Sequence, residues 1–170
     1  MSISMSSASL PVFQTMLGNL KHILDKGLAH AQARKFDPQV LVQSRLAPDM
    51  FPLARQVIIA CDAAKLGTAR LAGLEAPKYD DTESTIEDLK ARIDKTLAWL
   101  ATVPPEKLDG TEAKDVTFPV GKENTRTMKG EAYLKHWVLP NLFFHVTTAY
   151  AILRHNGVDV GKGDYLTGRT

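Results

Sequence analysis

Five histidines, His22, His30, His136, His145 and His155, and one cysteine, Cys61, are the side chains best suited to hold a metal or move a proton. A zinc or nickel site needs several nitrogen or carboxylate donors converging on one point. Helical spacing opposes that here. His136 and His145 fall about 180° apart around one helix, and His155 lies about 15 Å beyond His145 along it. His22 and His30 are separated by about 12 Å along theirs.

His145 stands out. Its neighbours one turn away are Asn141, Leu142, Thr148 and Ala149, with Val138 and Ile152 a turn further, so it faces an apolar stripe. Burial disfavours the imidazolium, and a neutral imidazole can accept a proton or bind a metal. Asn141 precedes it by one turn on the same face and can orient it or add an oxygen ligand. The simpler reading is a hydrogen-bonded core histidine.

Asp62 lies on the stripe of Ile58, Ile59 and Leu66, a costly place for a carboxylate without a partner. Arg55 is seven residues earlier and Lys65 three later. Asp62 therefore either pairs with Arg55 or links to another helix, or it faces His145 across the fold and holds the imidazole tautomer. The candidate catalytic residues are His145 and Asp62, and the candidate ligand-binding residues are Asn141 and Arg55. No metal ligands are expected. Cys61 points about 100° away from Asp62, among Val57, Ala64 and Thr68, and reads as a buried thiol before it reads as a nucleophile. The glycine-rich run Gly157–Gly163 follows a helix and lacks a Gly-Lys-Ser/Thr ending, which argues against a phosphate loop. Trp99 and Trp137 read as packing residues, and Lys21, Lys26 and Arg34 as a solvated face.

Four helical patterns must position these residues. The first begins at an N-cap Ser9, with Pro11 in its first turn, and carries Phe13, Met16, Leu17, Leu20, Leu24, Leu28 and Ala31 at helical spacing. Gly18 and Gly27 lower its propensity without breaking the stripe. A connector from Phe36 to Asp49 holds a short turn at Val40-Leu41-Val42. The second helix is expected from Met50 to Ala72, with Pro52 in its first turn and Gly73 as its stop. It is apolar on two faces, as expected for a central helix.

Ser84-Thr85-Ile86-Glu87 reads as a capping box opening the third helix. Its stripe is Ile86, Leu89, Ile93, Leu97 and Leu100, and Pro104-Pro105 end it. The fourth spans roughly Gly130 to His155, and Pro140 predicts a kink between Lys135 and Pro140. Between the last two helices, Val116–Val120 and Thr125–Met128 flank Gly121-Lys122-Glu123-Asn124, which predicts a small irregular hairpin. The tail from Val158 to Thr170 is expected to lie over the end of the helices. The fold class is all-α: a single domain, 1–170, forming a four-helix bundle with a long crossover between its third and fourth helices.

Composition bounds the rest. The 170 residues are 44% hydrophobic and 24% charged, ordinary for one globular domain. With 21 basic against 19 acidic residues the net charge is +2, which gives no cue for nucleic acid or an acidic membrane. A lone cysteine excludes an intrachain disulfide framework. Met1–Ser7 has neither a basic nor an apolar export region, so the expected location is cytoplasmic. Val138–Leu153, the most apolar stretch, is too short to span a bilayer and includes Pro140, Asn141 and His145.

The run Leu139-Pro140-Asn141-Leu142-Phe143-Phe144-His145-Val146-Thr147-Thr148-Ala149-Tyr150-Ala151-Ile152-Leu153-Arg154-His155-Asn156-Gly157-Val158, then Gly161-Lys162 and Asp164-Tyr165-Leu166, resembles a bacterial family of domains of unknown function related to the DinB/YfiT-like metalloenzyme superfamily. Arg45–Leu53 and Ala60-Cys61-Asp62 resemble its second-helix signature, so the likeness covers nearly the whole chain. The resemblance implies a four-helix bundle, often a homodimer. Many members of the superfamily hold a divalent metal through one histidine on the second helix and a His-x-x-x-His pair on the fourth, and some transfer thiols. The Leu-Arg-x-x-Gly ending of that pattern falls on Leu153-Arg154-His155-Asn156-Gly157. This puts the second histidine of the pair at His145 and the first at Asn141. The second helix has no histidine between Met50 and Ala72. Asparagine and aspartate replace imidazole poorly toward zinc or nickel.

Three functions remain open from sequence. The first is a metal-free bundle with a small-ligand pocket at Asp62, Asn141 and His145. The second is a zinc- or nickel-dependent thiol transferase, and the third is a non-catalytic structural or regulatory homodimer. The first carries the expectation of no cofactor, of an unidentified small-molecule ligand, and of no nucleic-acid or membrane partner.

Overall fold

The computed structural model describes residues 3–121 and 123–168. Four long helices form its frame: α1 (Leu10–Arg34), α3 (Leu53–Ala72), α4 (Ile86–Leu100) and α6 (Leu139–His155). Short helices α2 (Gln39–Gln43), α5 (Gly130–Tyr133) and α7 (Lys162–Thr167) and one antiparallel hairpin, β1 (Asp115–Val120) and β2 (Asn124–Lys129), complete it. The chain is mostly helical, and the small hairpin expected in the crossover is a regular two-stranded sheet, so the fold is not purely α. Among the described residues no helix is long and apolar enough to cross a membrane.

α1 and α3 each pack against both α4 and α6. The faces they share carry the stripes read from sequence: Phe13, Leu17, Leu20 and Leu24 of α1, Ile86, Leu89 and Ile93 of α4, and Leu142, Val146 and Ile152 of α6 are all buried. Burying each such side chain contributes roughly 1.5–3 kcal/mol. Leu28 and Leu97 sit at the margins and are half-buried.

Local chemistry sets the ends. Ser9 is the N-cap of α1, but its hydroxyl donates to the Met5 carbonyl (2.6 Å) instead of capping. α3 starts one residue after Pro52, so that proline is its N-cap and not part of its first turn. Gly73 ends α3 at φ 67°, a conformation costly for any side chain with a Cβ. The capping box of α4 is shifted by one residue from the expected one. Thr85 and Asp88 form it: the Asp88 amide donates to Thr85 Oγ1 (3.1 Å) and the Thr85 amide to Asp88 Oδ2 (3.0 Å). Asp88 also accepts from the Ser84 amide, which pulls the cap toward it.

The expected kink is a π-helical turn, Leu134–Val138, between α5 and α6. Proline has no amide to give one turn back, so the regular ladder cannot run through Pro140. Phe118 and Val116 of β1 point inward and their neighbours outward, the period of a half-buried strand. Phe118 packs on Tyr133 (ring centroids 4.7 Å) and Trp137 (4.9 Å), which seats the hairpin on the π turn. The tail forms an unforeseen helix, α7. Asp164 closes its first turn by accepting from the Gly161 amide (2.7 Å) and ties it to α1 through His22 (3.0 Å) and Lys26 (3.1 Å).

α3 meets the π turn at Gly67. A Cβ there would stand 2.5 Å from Cγ1 of Val138. Gly67→Ala gains helix propensity but overpacks this crossing, so urea denaturation is expected to show a net loss of about 1–2 kcal/mol. Adding Val138→Ala should recover most of it, and an additive double mutant would refute the contact.

Candidate functional site

His145 on α6 is buried at 8% exposure, as expected, but its partner is Gln56 of α3. His145 Nδ1 and Gln56 Oε1 are 2.7 Å apart, and Gln56 Nε2 donates to the Phe51 carbonyl (3.0 Å). The amide is thereby oriented with its oxygen toward the ring. An oxygen can only accept, so Nδ1 carries the hydrogen and Nε2 the lone pair. Nε2 has no partner among the described residues. Burial, with Arg55 adding positive charge nearby, pushes the imidazole down to about 4. Phe144 meets the ring edge-on at 5.1 Å.

Asp62 does not pair with His145, and the expected Arg55–Asp62 pair does not form. The link to another helix does. Arg92 of α4, only 2% exposed, donates to Asp62 (3.1 Å), Asp81 (3.2 Å), Glu83 (2.9 Å) and the Asp80 carbonyl (3.2 Å). Lys65 adds a second cation on Asp62 Oδ1 (3.0 Å) and lies over the Tyr79 ring. Arg55 pairs instead with Asp81. The loop between α3 and α4 delivers Asp81 to both arginines, a placement that no helical spacing encodes. Burial raises the Asp81 carboxyl, but Arg55 and Arg92 outweigh it and hold the group below its ordinary value. Cys61 is fully buried, and burial pushes its thiol up to about 12, far from any thiolate.

A cleft of about 250 Å³ opens between α3, the π turn and the hairpin. Asp62 and Asn141 line it together, with Ile59, Leu66, Gly67, Pro119, Val138 and Trp137 as apolar walls and Arg70 and Tyr133 as further polar groups. His145 and Arg55 do not line it. Asn141 Nδ2 donates to the Trp137 carbonyl (2.7 Å), which leaves its Oδ1 as the unused acceptor. Arg70 Nη1 donates to the Tyr133 hydroxyl (3.0 Å). A larger cleft of about 350 Å³ beside α4 is lined by Tyr79, Glu83, Arg92 and Lys95, but its central charges serve the Arg92 network.

Sequence reasoning missed Gln56, Arg92, Arg70 and Tyr133. A weak signal existed for two of them. Gln56 interrupts the apolar run Leu53–Ile58, and Arg92 sits between the core residues Leu89 and Ile93.

Zinc or nickel fits these residues poorly. Among the described residues no group of three or more His, Cys, Asp or Glu side chains converges as a metal site. Asn141 is a weak donor whose Nδ2 is bonded to the Trp137 carbonyl, and one oxygen of Asp62 is held by two cations, which leaves the His145 Nε2 lone pair without companion ligands.

Residues 5–166 match a family described as a domain of unknown function, DUF1993. The chain belongs to that family. A solved structure of a DinB family member from Shewanella denitrificans is similar to it, with 44% identity and a TM-score of 0.87 over 95% of this chain and 90% of the other. The DUF1993 fold is thus related to DinB-like proteins, as the fourth-helix signature implies. No curated protein matches the chain.

Two expectations follow for this DUF1993 chain. The first is a pH signature of His145. Its folded value lies below the ordinary one near 6.5, so the neutral form stabilises the fold. That contribution is complete above about pH 6.5 and is lost as pH falls toward about 4. Imidazole NMR should show the Nδ1–H tautomer and a midpoint near 4, raised but still below 6.5 in Arg55→Gln. His145→Gln should flatten the stability profile over the same range. The second concerns Arg92. Arg92→Met strands partly buried carboxylates and should cost about 3 kcal/mol at pH 7 by urea denaturation, and less near pH 4 where they protonate.

Proposed function

We propose that this protein is a four-helix bundle of the DinB kind that binds a small ligand with an apolar body, without a resident metal, in the cleft between α3, the π turn and the hairpin. The observation that carries the reading is the composition of that cleft. Two helices bring Asp62 and Asn141 to one space of about 250 Å³ whose walls, apart from Arg70 and the Tyr133 hydroxyl, are apolar and aromatic. A concave apolar lining with a few converging polar groups is the usual character of a small-molecule site.

His145 stands outside this reading as a group that acts on the ligand. Its bond to Gln56 holds α6 against α3, and its role is positional. A thiol-transfer reading has less support, because it needs imidazole donors that Asn141 and the second helix do not supply and a thiolate that Cys61 does not offer.

Phenylacetamide and indole are suitable neutral probes, read by the indole N–H of Trp137 and the side-chain amide of Asn141 in NMR titrations. Both signals should shift with either probe. Ala63 of α3 also lines the cleft, and Ala63→Leu, which fills it, should weaken binding by about tenfold or more, whereas His145→Gln or EDTA should change it by less than about threefold. Binding that ignores Ala63→Leu but is lost with His145→Gln or EDTA would overturn the proposal.

A further inference from the structure

We propose that Arg70 and Tyr133 form a carboxylate anchor at one end of the cleft, so that its ligand is a small monocarboxylate with a flat apolar body. The inference rests on the cleft being a ligand site and adds the chemistry of the occupant.

Arg70 is half-buried, and among the described residues no carboxylate lies within ion-pair distance of it. Its described side-chain bond goes to the hydroxyl of Tyr133, a residue only 1% exposed. A guanidinium can only donate, so the hydroxyl accepts from Arg70 and its own proton is left over. No acceptor for that proton occurs among the described residues. Burial raises the phenol further from ionisation despite the nearby guanidinium, so the hydroxyl remains a neutral donor. A charged N–H and a buried O–H thus face the same cleft without an acceptor between them. Buried donors are nearly always satisfied, and the two oxygens of a carboxylate satisfy this pair.

Charge and shape narrow the class. Asp62, the other charged lining residue, already meets Arg92 and Lys65, which leaves one uncompensated cation in the cleft. One cation matches one negative charge, and a dianion would bury an unpaired charge. Asp62 stands eight residues before Arg70 on α3, about 12 Å along the axis, and no lining cation at that end is free to receive a second carboxylate. Between the two ends lie Ala63 and Leu66 of α3, with Trp137 and Pro119 across from them, which suit a flat apolar group.

The experiment compares acid and amide forms of the same body: phenylacetate, 3-phenylpropionate and indole-3-acetate against their primary amides, with inorganic phosphate as a charge control, by calorimetry and the Trp137 indole N–H signal of isotope-labelled protein. At least one acid should bind about tenfold or more tightly than its amide. Arg70→Gln should bring acid and amide to parity, and Arg70→Lys should retain part of the preference. Tyr133→Phe should weaken the acid by about three- to tenfold and the amide by less, and equal losses would remove Tyr133 from the anchor, so the assignment can still fail if Arg70→Gln does not fold. Acid and amide binding equally, with both lost in Ala63→Leu, would remove the anchor and leave the cleft reading standing. No response to any probe would sink both. Phosphate competing as well as the acids would overturn the monocarboxylate assignment.

Discussion

A guanidinium with 2% exposure has to be met by carboxylates, and the middle of this molecule is arranged around that requirement. Arg92 gathers Asp62 from α3 and Asp81 and Glu83 from the loop before α4. The loop is thereby held against both helices. Asp81 passes the constraint on to Arg55, and Arg55 adds to the burial that keeps His145 neutral. One buried cation therefore joins two regions that look independent along the chain. It also decides the character of Asp62. A carboxylate with one oxygen between an arginine and a lysine is a structural anion first, and what it offers the cleft is its remaining edge.

The cleft arises from an interruption. A regular helix from Gly130 to His155 would carry its side chains past α3 in one continuous stripe. Pro140 forbids the regular ladder, and the π turn before it rotates Tyr133, Trp137 and Val138 relative to Asn141 and His145. Val138 then lies so close to Gly67 that no Cβ fits, while Trp137 and Asn141 stand off from α3 and leave space. The hairpin closes one side with Phe118 beneath the aromatic pair and Pro119 at the rim. π-helical turns are frequent at functional sites because they aim side chains that a regular helix would align with its packing face.

His145 shows how a buried imidazole can serve packing. Here the ring donates to a glutamine that is itself fixed by a backbone carbonyl. That arrangement favours one tautomer and a neutral ring, and it uses Nδ1 to join two helices. Asn141 is bonded back to the Trp137 carbonyl one turn away, so its amide nitrogen is engaged within its own helical segment.

The sequence by itself determined the four long helices, because their apolar residues recur at a period that only a helix can bury on one side. It also determined the break at Pro140, from a missing amide, and the inward turn of His145, from the stripe it occupies. Small offsets escaped it: the cap at Thr85 in place of Ser84, and α7, whose glycine-rich start hides a turn closed by Asp164. The partners were another matter. Gln56 for His145, Arg92 for Asp62 and Asp81 for Arg55 lie 89, 30 and 26 residues away in the chain. Periodicity states which side of a helix a residue occupies and nothing about which residue of another element faces it. Those pairings, and the space that Arg70 and Tyr133 share, exist only once the helices have docked, so tertiary structure alone decided them.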